Sequence, residues 1–82
     1  MRPQTRLLVV DDDPSVSGML AEYLASHGYE VVQAANGTEL RARMETHQPD
    51  AVLLDVRMPG EDGLTLARFL RERYDVGIIM VT

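Results

Sequence analysis

Carboxylates and one hydroxyl close three apolar runs of this chain. Leu7-Leu8-Val9-Val10 runs into Asp11-Asp12-Asp13, Ala51-Val52-Leu53-Leu54 into Asp55, and Val76-Gly77-Ile78-Ile79-Met80-Val81 into Thr82. If these runs are neighbouring parallel strands, their ends lie about 4.8 Å apart and Asp11, Asp12 and Asp55 share a rim. Two unit charges at ~4 Å repel by roughly 4 kcal/mol at an effective dielectric near 20. The bare cluster then either keeps protons or is neutralised by a hard cation. Oxygen donors without histidine or cysteine favour Mg²⁺, which needs only one or two carboxylates and keeps several waters. A carboxylate can also act as a nucleophile and form an aspartyl-phosphate. Mg²⁺ would absorb charge on the phosphoryl oxygens, and the Thr82 hydroxyl could hydrogen-bond one of them.

The elements that must position these groups are legible in the same pattern. Asp13 is placed to cap a helix with Pro14 at its first position. Val16, Met19, Leu20, Tyr23 and Leu24 continue it at helical spacing, and Gly28 is placed to end it. A strand is expected over 30–35, and a helix capped by Asn36 over 37–47, broken by Pro49. A loop over 56–62 leads to a third helix over 63–74, burying Leu66, Ala67, Phe69 and Leu70. Met19, Met44 and Met80 fall at core-facing positions, while His27 and His47 sit near helix ends, where imidazole suits the dipole. Strands apolar along their length and separated by helices predict an α/β fold, a doubly wound parallel sheet covered on both faces. Ligands of such sheets bind outside the carboxyl ends of the strands.

Composition narrows the function classes. The 82 residues allow one small domain, which buries only about 60–65% of its unfolded surface. Net charge is −5, and the eight basic residues are all arginine. An acidic chain lacks the basic stripe that nucleic acid requires, and an anionic membrane would repel it. No apolar run approaches the ~18 residues that span a bilayer, and no signal-peptide pattern opens the chain. Without cysteine there is neither a disulfide framework nor a thiolate metal site. The cytoplasm is the expected location. Glu39 with Arg43, Arg41 with Glu45 and Arg68 with Glu72 are expected to pair along helix faces, at roughly a few tenths of a kcal/mol each.

In order and spacing, three segments resemble the response-regulator receiver domains of two-component systems. They are Val9-Val10-Asp11-Asp12-Asp13-Pro14, Leu53-Leu54-Asp55-Val56-Arg57-Met58-Pro59-Gly60-Glu61-Asp62-Gly63, and Ile78-Ile79-Met80-Val81-Thr82. The resemblance implies a flavodoxin-like βαβαβαβ fold with strand order 2-1-3-4. It implies that Asp55 takes a phosphoryl group from the phosphohistidine of a sensor histidine kinase. Asp11, Asp12, Asp55 and the backbone carbonyl of Arg57 would hold Mg²⁺, Asp12 more directly and Asp11 partly through water. Met58, Pro59 and Gly63 would shape the loop over the site, and Thr82 would be the switch hydroxyl. The segment before Thr82 looks most like regulators that join a receiver to a winged-helix DNA-binding domain.

Family members continue past the position of Thr82 with a further strand that supplies a lysine, and these residues contain no lysine. The expectation is therefore a partial receiver over residues 1–82, truncated after the fourth strand, without a second domain. Its uncovered fourth strand is expected to favour self-association. The alternative is a module that binds a kinase or another partner through its first helix without phosphotransfer. A phosphatase with an aspartyl nucleophile typically needs a second acid two residues later, where this chain has Arg57. A dinucleotide fold lacks its Gly-x-Gly-x-x-Gly after the first strand.

Overall fold

The apolar runs form strands and the periodic segments form helices, in the order β1 (Arg6–Val10), α1 (Pro14–Ser26), β2 (Glu30–Ala34), α2 (Gly37–His47), β3 (Ala51–Asp55), α3 (Gly63–Arg73) and β4 (Gly77–Val81). The computed structural model of the chain describes residues 4–58 and 60–81. Its strands form one parallel sheet in the order β2-β1-β3-β4, the expected doubly wound arrangement.

Strand alternation divides the core between two faces. Leu8, Val10, Val52 and Leu54 meet Leu40 and Met44 of α2 and Leu66, Ala67 and Leu70 of α3 in one buried cluster. Leu7 and Val9 are also buried but point to the other face, where α1 packs on β1 and β2. Each fully buried leucine contributes about 1.5–3 kcal/mol relative to exposure, so these few positions hold the sheet and its helices together.

The ends of the helices follow side-chain chemistry. Asp13 accepts from the Ser15 N–H at 3.0 Å, as a cap should. Gly28 adopts φ +91° and donates to the Ala25 carbonyl at 3.1 Å, which closes α1. Asn36 accepts from the Glu39 N–H at 2.9 Å, while the Glu39 carboxylate reaches back to the Ala35 N–H at 2.9 Å. The first bond satisfies a backbone donor that the helix start leaves open, and the second holds the N–H of the residue just before the cap. At the other end of α2, Gln48 takes the left-handed conformation one residue before Pro49. Three boundaries fall one residue inside the expected ones, at Ala34, Arg73 and Gly77. Tyr74 keeps its N–H on Leu70 at 2.8 Å, but its own backbone is already extended.

Two expectations about side chains are corrected. The buried residues of α1 are Ser17 and Ala21, neither of them in the expected stripe, and of the stripe itself Leu20 and Leu24 are half-buried. Met19 and Tyr23 are 68% and 61% exposed, and Val16 is exposed as well. A wide apolar stripe does not say which of its edges meets the sheet. The helical ion pairs also give way to other partners. Glu39 caps α2, Arg43 donates to the Gln33 carbonyl at 3.2 Å, and Arg41 reaches Glu61. Among the described residues, Arg68 and Glu72 form no ion pair. A solvated pair along a helix is too weak to hold a side chain that can satisfy a backbone group instead.

Candidate functional site

The rim is built by register. Val10 pairs with Leu54 across β1 and β3, so the next residues along, Asp11 and Asp55, leave the sheet side by side. Asp11, Asp12 and Asp55 each bring a carboxylate oxygen within 4.8 Å of the others. Backbone bonds fix two of them. The Asp11 N–H donates to the Ala34 carbonyl at 3.1 Å, extending the β1 ladder by one residue, and its Oδ1 accepts from the Asp13 N–H at 2.9 Å. Asp55 ends β3, with Oδ1 accepting from the Arg57 N–H at 3.0 Å. Asp11 and Asp55 are half-buried and Asp12 is exposed.

The charges are in mutual tension. Burial raises the Asp11 carboxyl from its ordinary value, and the charges of Asp55, Asp12 and Asp13 add to it. The hydrogen bond from the Asp13 N–H opposes these effects without cancelling them. Asp13 behaves differently: the Ser15 hydroxyl and N–H stabilise its carboxylate and lower it. Asp13 is occupied as a helix cap and stands apart from the cluster.

The donor set suits a hard divalent ion. Oxygens bound directly to one Mg²⁺ stand about 2.9 Å apart when adjacent and about 4.2 Å when opposite. Carboxylate oxygens gathered within 4.8 Å of one another come close to this spacing, so the three residues could share one such ion, directly or through its waters. Anionic oxygen donors with a raised carboxyl among them are what such a cation would stabilise.

The loop after β3 is tied down at both ends. The Val56 N–H donates to the Val81 carbonyl at 3.1 Å, and the Gly63 N–H donates to the Val56 carbonyl at 3.2 Å. Gly63 packs so closely that a Cβ there would lie 2.6 Å from the Asp55 carbonyl oxygen and 2.7 Å from the Val56 Cα. Met58 is buried beneath the loop, Gly60 turns it with φ +90°, and Asp62 caps α3 by accepting from the Leu64 N–H at 2.6 Å. Arg57 is exposed, and its N–H is the group that bonds the Asp55 carboxylate. Pro59 and Thr82, both expected at the site, lie outside the described residues.

One connection near the rim has no local signal in the sequence. Arg41 of α2 forms a two-bonded ion pair with Glu61 of the loop, at 3.0 and 2.7 Å. The capping role of Glu39, by contrast, was readable from Asn36-x-x-Glu39.

Known proteins share this pattern. The family model described as "Response regulator receiver domain" matches residues 7–82. The chain is similar to the transcriptional regulatory protein AruR of Pseudomonas aeruginosa at 49% identity, over 94% of the chain and 34% of AruR. It thus spans about a third of that relative, whose description agrees with the expected likeness to regulators carrying a DNA-binding domain. A response regulator receiver protein from Pseudomonas putida superposes with a TM-score of 0.91 at 33% identity, over 99% of this chain and 69% of that one. A structure of histidine kinase ThkA in complex with response regulator protein TrrA matches with a TM-score of 0.88 at 40% identity, over 96% of this chain and 69% of that one. The order and register of the strands, the acidic rim and these matches lead to one assignment: the chain belongs to the response regulator receiver domain family.

Proposed function

We propose that Asp55 is a phosphoacceptor, charged by the phosphohistidine of a sensor histidine kinase in the cytoplasm. Asp11, Asp12, Asp55 and the Arg57 backbone carbonyl would hold Mg²⁺, and Thr82 would supply the switch hydroxyl. The observation that carries this reading is the meeting of the three carboxylates within 4.8 Å at the carboxyl ends of β1 and β3. The Arg57 N–H orients Oδ1 of Asp55 and leaves the second oxygen to attack phosphorus. As the new O–P bond forms, the N–P bond of the phosphohistidine breaks and its electron pair returns to the imidazole, which takes up a proton. Bound Mg²⁺ supplies charge neutralisation for the carboxylates and for the transferred phosphoryl oxygens. The kinase as partner is supported by the matched complex of a kinase with a response regulator. The net charge of −5 weighs against nucleic acid as a ligand of these residues.

A second reading, partner binding without phosphotransfer, draws on the exposed Val16, Met19 and Tyr23 of α1. One measurement separates the two. Incubation with acetyl phosphate and Mg²⁺, followed by intact mass, is expected to show a single phosphoryl adduct that is lost with EDTA and in Asp55→Asn. No adduct, or one that persists in Asp55→Asn, would exclude Asp55 as the acceptor. The chain itself is a further proposed partner, through the edge of β4.

A further inference from the structure

We infer that Arg41 is a positioning residue for the Asp55 site: through Glu61 it clamps the loop that carries Arg57, so that α2 helps set the geometry of the acidic rim. This rests on the proposed role of Asp55 and adds a residue to it that touches neither metal nor phosphoryl group.

Four features converge on the clamp. The guanidinium of Arg41 meets both oxygens of Glu61, at 3.0 and 2.7 Å, the planar fork geometry that lysine cannot reproduce. The same guanidinium lies over the ring of Phe69, 4.7 Å from its centre, and so joins α2 to α3 as well as to the loop. Gly37, buried at the start of α2, leaves the space that the Glu61 carboxylate enters, and a Cβ there would collide with Glu61 Oε1. The loop is closed at its base by the Gly63 N–H on the Val56 carbonyl and anchored by buried Met58, and among the described residues Glu61 adds the ion pair that ties it to α2. In support, hydrogen bonding to the partner raises Arg41 and lowers Glu61, each toward its charged form.

The side chains of Arg41 and Glu61 are 41% and 34% exposed. A pair this open contributes little to global stability. Its consequence is geometric: the segment it fixes begins two residues after Asp55, with the N–H that orients the Asp55 carboxylate. Loss of groups that orient metal ligands commonly lowers metal affinity by roughly 10–100-fold.

The test is Mg²⁺ titration of the full chain by calorimetry, with melting followed in parallel, for Arg41→Met, Arg41→Lys and Glu61→Gln. Positioning predicts that all three weaken Mg²⁺ binding, by about tenfold for Arg41→Met and Glu61→Gln. Simple charge effects predict opposite signs, because Arg41→Met makes the surroundings more negative and would tighten Mg²⁺, whereas Glu61→Gln would loosen it. Arg41→Lys keeps the charge and loses the fork, so wild-type affinity in that variant, or tighter binding in Arg41→Met, overturns the inference. Amide exchange gives a readout independent of metal. The Arg57 and Gly63 N–H groups are expected to exchange several-fold faster in Arg41→Met and Arg41→Lys, with the β3 core amide of Leu54 unchanged. If the wild type binds no Mg²⁺, the proposed function fails on that ground, and unchanged exchange at Arg57 and Gly63 would separately refute the clamp.

Discussion

Burial and the charges of Asp55, Asp12 and Asp13 raise the Asp11 carboxyl, which gives the rim a defined pH dependence. A raised carboxyl binds its proton more tightly in the folded chain than in the unfolded one. Folded protein therefore holds the extra proton between the two pKa values, and stability falls as pH rises through that interval. At neutral pH without metal the ionised Asp11 is a burden on the fold. Asp11→Asn keeps an oxygen for the Asp13 N–H but removes the charge. In EDTA at pH 7 it should stabilise the protein by about 1 kcal/mol, the scale of two charges 4 Å apart in a water-like dielectric. The gain should vanish below the ordinary aspartate pKa of about 3.9, where the wild-type residue is itself protonated. Urea unfolding at both pH values measures this, and a gain that persists in acid would point to packing instead of charge. Asp11, Asp12 and Asp55 were legible in the sequence because apolar runs stop abruptly at them. Arg41 and Glu61 were not, since their meeting depends on how α2 lies beside a loop 20 residues further on.

Helices and strands were legible to within a residue because capping groups and apolar runs agree at most boundaries. The close approach of β3 and α3 could not be read from them. Gly63 was expected to open α3 and to shape the loop over the site, but nothing in the sequence shows that its missing Cβ lets α3 begin against the Asp55 and Val56 backbone. Backbone atoms cannot swing aside, so Gly63→Ala should cost about 2–3 kcal/mol, within the range for overpacking. It should also weaken Mg²⁺ binding, since the displaced atoms belong to Asp55. Gly18 is the counter-case. It lies inside α1 with nothing within 4 Å of a would-be Cβ. Gly18→Ala therefore removes a flexible helix interior residue without a clash and should stabilise by about 0.5–1 kcal/mol. Chemical denaturation of the two variants should move the midpoint in opposite directions. A Gly63→Ala midpoint that did not fall would show that the close approach is not what requires glycine there.

On the scale of the whole molecule, β4 is bonded to β3 along one edge, and among the described residues nothing pairs with the other. Gly77-Ile78-Ile79-Met80-Val81 carries no charge, and Ile79 is 53% exposed. Unpaired N–H and C=O groups on a β-branched, uncharged edge favour strand addition. A net charge of −5 on each copy opposes it. Surface charges are screened beyond about 10 Å at 0.1 M salt, while hydrogen bonding and apolar contact along the edge are not. Self-association is therefore expected to grow with both protein concentration and salt, as read by sedimentation equilibrium. Ile79→Lys puts a charge on the exposed face of the edge strand, beside the side chains that a second strand would bring, and should shift the protein toward monomer. Ile79 is a mid-strand residue of β4, away from the acidic cluster, so the Asp55 phosphoryl adduct should form in the variant as in the wild type. A wild-type chain that stays monomeric at every concentration and salt level would show that the edge is passive, because screening leaves no electrostatic barrier to hide its attraction.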